Sequence, residues 1–300
     1  MEQVQNQNLA IKYMLFSSFL FAIMGIFVKD LSDSMSSVEI TFFRNVFGVA
    51  IILYSVYRNP FTHIGGKLLL LIFRGTIGFI ALLAFFYNIA NIPLAEAMTF
   101  SKTAPIFTSI FAYIFLNEKL NFWQIISIFL GFIGMVFIIQ PDGFTLSKTD
   151  LLGIFSGIGA GLAYTSVREL RKYYDSRAIV LSFTVIGTVA PAILLIIGTF
   201  YKPPEYLDFL IAPIMIPNID DIISIFALGI LATFAQIFMT KAYGETKAGI
   251  VATVSYSNIL FSLIIGTLIL NEPIPNFISF IGIFLIVFSG ILVSQLKDKE

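Results

Sequence analysis

Only a few residues in this 300-residue chain have the chemistry to act on another molecule. There is no Cys and a single His, His63, so thiol nucleophiles, thiolate metal sites, iron–sulfur clusters and His clusters are all absent. No phosphate-binding Gly loop or nucleophile–base set occurs either. Four charged residues stand inside long apolar runs or at their mouths: Arg44, Arg74, Lys102 and Glu96. A basic side chain at the centre of a membrane helix costs about 2.5–3.5 kcal/mol on the insertion scale, so compensation is expected. Two kinds are open to Arg44 and Arg74: snorkelling to lipid headgroups, or facing an internal cavity. Lys102 lies between Ser101 and Thr103, one turn before Pro105, which removes a helical hydrogen bond within the run. Freed backbone at membrane depth is tolerated where it lines a cavity. Lys102 is therefore predicted to face a cavity and to bind a carboxylate or phosphate. Glu96 has several readings, a charge favoured at a helix N-terminus, a proton-coupling or gating group, and a partner for Lys102 or Arg44, with Pro105 and Arg74 as further gating candidates. Three cations against one anion favour an anionic or zwitterionic ligand group.

The polar residues of the second half give the opposing wall. Ser255, Tyr256, Ser257 and Asn258 interrupt an apolar run, and four consecutive polar residues cannot all face lipid. Tyr256 and Asn258 are predicted to contact substrate, together with Gln236 and Asn45. Tyr87, Asn88 and Tyr164 read as interfacial belt or gate residues. The spacing Gly153, Gly157, Gly161, with Gly159, makes a close-packing helix surface.

What must position these groups is a membrane scaffold. Hydrophobic residues make up 58% of the chain, with 33 Phe, and charged residues only 12%; soluble domains carry about twice that charge. The apolar runs define ten candidate helices, at 12–30, 38–57, 67–89, 95–116, 122–140, 151–168, 178–200, 222–242, 247–270 and 276–294. The first is too long for a signal-peptide core and lacks a cleavage site, so it reads as a retained span. Continuous apolar runs exclude a β-barrel, whose strands alternate. The 18 Lys and Arg balance 18 Asp and Glu, and nothing in that charge invites nucleic acid. With the N-terminus inside, 12 of the Lys and Arg fall on inner segments and only Lys29, Lys148 and Lys202 on outer ones. This bias predicts cytoplasmic termini.

The chain also repeats. Leu116-Asn117-Glu118 recurs 154 residues later as Leu270-Asn271-Glu272, and Ser101 aligns with Ser255 in that register. Earlier in each half the offset is 139, aligning Val28 with Val167 and Gly48 with Gly187. The difference falls on the Pro-rich loop at 201–221. Two five-span units, 12–140 and 151–294, have odd span counts and so must run in opposite senses. Inverted repeats are a route to alternating access.

With Arg74-Gly75, Ile92-Pro93-Leu94-Ala95-Glu96-Ala97, Ala104-Pro105-Ile106-Phe107, the repeated Leu-Asn-Glu and Arg44, the chain resembles the drug/metabolite transporter superfamily, in its EamA-type branch. The second copy departs from that pattern, having Ile259 where Pro105 stands and Ala248-Gly249-Ile250 for Leu94-Ala95-Glu96. The resemblance implies an all-α carrier of ten transmembrane helices in two inverted repeats, in the inner membrane. It would move a small polar metabolite, amino-acid-like, vitamin or nucleotide-derived. No cofactor, metal or nucleic acid is expected; the partners are a small-molecule substrate and membrane lipids, in a monomer or homodimer. Spans one to four and six to nine would line the cavity, with five and ten peripheral. An integral-membrane enzyme or a lipid-handling protein is the alternative, and would need a reactive constellation that the sequence lacks.

Overall fold

A continuous apolar run that cannot bury every side in its own fold satisfies its backbone as a helix. The computed structural model describes residues 6–62, 65–92, 97, 100–139, 147–269 and 276–295, and among them there are helices and no strands. In chain order these are α1 (Gln7–Leu31), α2 (Ser37–Arg58), α3 (Leu68–Asn91), α4 (Ala104–Leu116), α5 (Phe122–Ile139), α6 (Lys148–Leu170), α7 (Ser176–Phe200), α8 (Ile219–Glu245), α9 (Ala248–Val254), α10 (Ser257–Ile269) and α11 (Phe277–Gln295). A single 3-10 turn, Glu205–Leu207, lies in the Pro-rich loop.

Among the described residues each predicted apolar run overlaps helix, and seven segments are long and apolar enough to cross a membrane on their own. Helix starts extend beyond the apolar runs because polar caps take up the first free N–H groups. Asn6 accepts from the Leu9 N–H, and Ser36 with Glu39, and Ser147 with Asp150, form reciprocal capping boxes. Glu39, inside the second run, is buried for this structural reason and also accepts the Met215 N–H at 2.7 Å.

Two predicted spans are not continuous. The fourth breaks at Lys102 and Thr103, and Pro105 sits in the first turn of α4, where its missing N–H leaves nothing unpaired. The ninth was expected uninterrupted over 247–270 but breaks at Ser255 and Tyr256, between α9 and α10. There Ser255 Oγ turns back to the Ala252 carbonyl at 2.6 Å. Such side-chain competition with the backbone favours a helix end.

The helices pair in a definite pattern. α1 lies on α8 and α3 on α6; α4 lies on α6 and α10 on α1; α2 lies on α7 and α5 on α11. The α4–α6 contact uses the predicted Gly stripe. A Cβ at Gly153 would strike the Phe100 ring, at Gly157 the Thr103 hydroxyl, and at Gly161 the Phe107 Cβ. Gly159 faces the other way, toward Ala81 of α3. Exposed Phe122, Trp123 and Phe129 on α5, and Phe277, Phe284 and Phe288 on α11, form an apolar periphery suited to lipid.

Candidate functional site

Where α1–α3 and α6–α8 surround the two helix breaks, a cavity of about 150 Å³ remains. A void of that size in a protein core admits a benzene-sized ligand. Its lining comes from the four predicted spans of each half and includes no residue of α5 or α11. Of the predicted site residues, Arg44, Arg74, Ser101, Lys102, Pro105, Gln236 and Asn258 all line it, alongside Ser255.

Each polar group has a definite tether. Lys102 Nζ donates to Asn258 Oδ1 at 2.6 Å, and Asn258 Nδ2 donates to the Ser18 carbonyl at 2.9 Å. Asn258 thus ties the break before α4 to α10 and to α1. Arg44 and Arg74 are only 4% and 1% exposed, so neither snorkels to headgroups. Their guanidinium carbons lie 5.3 and 4.5 Å from the centre of one ring, Phe183 of α7. Arg44 Nη1 donates to Asn45 Oδ1 at 3.1 Å. Among the described residues, Arg44 Nε, Arg74 Nε and Nη1, Gln236 Nε2 and Ser18 Oγ are buried without hydrogen-bond partners. Orphaned donors of this kind are uncommon in folded proteins; these five atoms belong to residues lining one cavity, while others, such as Arg171 Nε, Thr240 Oγ1 and Tyr256 Oη, lie outside its lining.

Some expectations change. Tyr256 does not line the cavity. The helix break turns it outward, where it packs with Met135, Ile259 and Ile286 and covers Gly131 of α5. Asn45 is also outside the lining. Its Nδ2 donates to the Thr41 carbonyl at 2.7 Å, and its side chain fills the space above Gly187 of α7. Tyr164 lines the cavity and stacks on Tyr243 at 5.5 Å, which makes it a wall residue and not part of an interfacial belt. Asn88 is buried and donates to the Thr149 carbonyl at 2.9 Å, joining α3 to α6. Tyr87 joins Lys148 and Asp208 in a polar network at that end of the molecule. Glu96, His63, Asn271 and Glu272 lie outside the described residues.

At the opposite end, Glu118 does more than shape a turn. Asn117 closes α4 in the left-handed region at φ 54°, a conformation Asn tolerates. Glu118 then accepts from Arg168 Nε at 2.8 Å and from the Ala248 N–H at 2.8 Å. Arg168 Nη1 reaches the Gly244 carbonyl at 3.2 Å, so one carboxylate holds the ends of α4, α6, α8 and α9 together. On the same face Lys67 donates to Glu169 at 2.7 Å, and that hydrogen bond raises the Lys67 pKa. Phe183, Ser18 and Arg168 had no local sequence signal, and only the packing brings them into these clusters.

A cavity with buried basic residues between broken helices, in a shell of lipid-suited helices, suits a membrane transport protein. The comparison with known families decides the class, because the EamA-like transporter family matches residues 8–140 and again 147–295. The chain belongs to the EamA-like transporter family. It is a multi-pass membrane protein of the drug/metabolite transporter superfamily, a transporter of small molecules and not an enzyme. The chain is 35% identical to an uncharacterized transporter of Helicobacter pylori, over 95% of this chain and 94% of that protein. It is 30% identical to human solute carrier family 35 member G1, over 95% of this chain and 78% of that protein. It is 28% identical to the pseudopaline exporter CntI of Pseudomonas aeruginosa, over 94% of each. A solved crystal structure shares the fold at a TM-score of 0.74 and 14% identity, covering 96% of this chain and 99% of that one.

Proposed function

We propose that this EamA-like protein is a ten-span secondary carrier of two inverted five-helix repeats, 12–140 and 151–294. It moves a small anionic or zwitterionic metabolite across the inner membrane by alternating access, with both termini in the cytoplasm. The observation that carries the reading is the pair of helix breaks. The 154-residue register that aligns the two Leu-Asn-Glu motifs also aligns 101–103 with 255–257, and both breaks fall at the one cavity. Discontinuous helices at a repeat interface are where carriers of this kind place their substrate.

The helix pairing supports the same symmetry. Exchanging the halves turns α1 on α8 into α6 on α3, and α4 on α6 into the α9–α10 unit on α1, while α2 on α7 and α5 on α11 map onto themselves. Lys102, Arg44, Arg74, Ser101, Gln236 and Asn258 form the binding site, and the excess of cations selects a ligand with an anionic group. The Glu118–Arg168–Ala248 cluster closes the cytoplasmic end and must open for release on that side. Relatives include an exporter and, at 21% identity, an S-adenosylmethionine uptake transporter of Rickettsia bellii, so the architecture serves either direction.

Purified protein in liposomes tests the reading. Saturable solute uptake, accelerated by the same solute on the far side, is the expected result. Flux that rises linearly without saturation would instead indicate a pore.

A further inference from the structure

Resting on the transport reading, we infer that the cavity is built for a compact dianion, one oxyanion group of which is gripped between Arg44 and Arg74 against the Phe183 ring. The described residues that line the cavity include three cations and no carboxylate. Lys102 is engaged by Asn258. An ammonium group has three donors, so two of its N–H remain for a ligand. Among the described residues the two arginines have no acidic partner. Both face one aromatic ring, and two like charges so placed repel each other. The ring's π face offsets this only partly.

The unpartnered atoms point to the ligand's chemistry. Arg44 Nε, Arg74 Nε, Arg74 Nη1 and Gln236 Nε2 are all N–H donors, and Ser18 Oγ can donate as well. A ligand that satisfies them must be rich in acceptors. The planar guanidinium fork matches the paired oxygens of a carboxylate or phosphate.

Gly78 shows that the clamp is shaped by the backbone. A Cβ at Gly78 would stand 2.6 Å from Arg74 Nη1 and 3.3 Å from the Phe183 ring. A side chain at this position, one turn after Arg74, would make the guanidinium shift from where it now lies against the ring.

The second contact comes from another group of helices. The clamp is carried by α2, α3 and α7, whereas Lys102 and Asn258 stand at the break before α4 and on α10, tied to α1. A ligand touching both poles therefore presents two anionic sites, as a short dicarboxylate or a phosphate monoester does. Against three cations a dianion leaves a net charge of +1 where a monoanion leaves +2, and that difference matters most in a low-dielectric setting.

The test is thermal stabilisation of the purified full-length protein by defined probes, since a ligand that binds the folded state raises the melting temperature. Succinate and glycerol 3-phosphate are the dianionic probes; succinamate, the monoanionic amide of succinate, and glycine are the controls. Saturable stabilisation by at least one dianion, weaker by about ten-fold or more in apparent affinity for succinamate, is expected. Which dianion is preferred tells a carboxylate from a phosphate ligand. Arg44→Gln and Arg74→Gln should each weaken the dianion by about ten-fold or more. Should either fail to fold, Gly78→Ala displaces the clamp without removing charge and should cause a loss of the same kind. Equal binding of succinamate and succinate, dianion binding untouched by these substitutions, or no stabilisation by either dianion would each overturn the inference. Saturable uptake of some other solute in liposomes would then leave the carrier reading standing, whereas only linear flux would remove that reading itself.

Discussion

Lys102 is a residue whose place was legible from its neighbours, because Ser101, Thr103 and Pro105 mark it as belonging to a cavity and not to a lipid face, and it lines one. Its 2.6 Å contact with Asn258 gives it an acceptor that also holds α1 through Ser18. Lys102→Met should therefore fold, because the variant removes a charge from an apolar setting, and should lower kcat/KM for the transported anion by about ten-fold or more. Uptake kinetics with unchanged kcat and KM would contradict this. Asn258→Leu should do the reverse to stability. It strands the Lys102 ammonium and the Ser18 carbonyl together, and thermal unfolding should report a loss of about 1–3 kcal/mol. The residues that were misplaced share one cause. Tyr256 and Asn45 sit beside true cavity residues in sequence, but a helix break and a one-residue step of about 100° aim them at Gly131 and Gly187 instead. Phe183 could not be singled out among 33 Phe, since what distinguishes it is two guanidinium groups from other helices.

Helix positions were readable because an apolar run of membrane length has few alternatives, and the caps at Ser36 and Ser147 account for the helix starts. The break before α4 carried a signal in Pro105, whereas the break at Ser255 and Tyr256 has neither Pro nor Gly and shows only as a polar run. The Gly stripe of α6 was legible as a packing surface, though not its partner, α4. Gly161→Leu should push α6 away from Phe107 and cost about 1–3 kcal/mol, read as a lowered melting temperature. Gly25, by contrast, has open space around its missing side chain, and Gly25→Ala should unfold at or above the parent temperature. At the α4, α6 and α9 ends, Glu118→Gln keeps the shape of the side chain and removes its charge. With both partners only 11% and 12% exposed, the loss should exceed that of a surface pair, and coupling to Arg168→Met in a double-mutant cycle should be about 1–3 kcal/mol.

For the whole molecule, the scarce charges placed the membrane and suggested its sidedness, while the lateral order of helices was beyond reach because lipid-facing and helix-facing residues are equally apolar. The chain has no Cys, so single introduced cysteines label without background. A Cys replacing exposed Lys202 should react with an impermeant maleimide from the outer face alone. The most direct measurement uses Ala160→Cys, on the cavity wall and outside the polar site, in protein of uniform orientation in liposomes. If one cavity serves both faces in turn, an impermeant maleimide added to either face modifies this cysteine and stops saturable uptake. Modification from one face only, with transport intact, would contradict alternating access through this cavity.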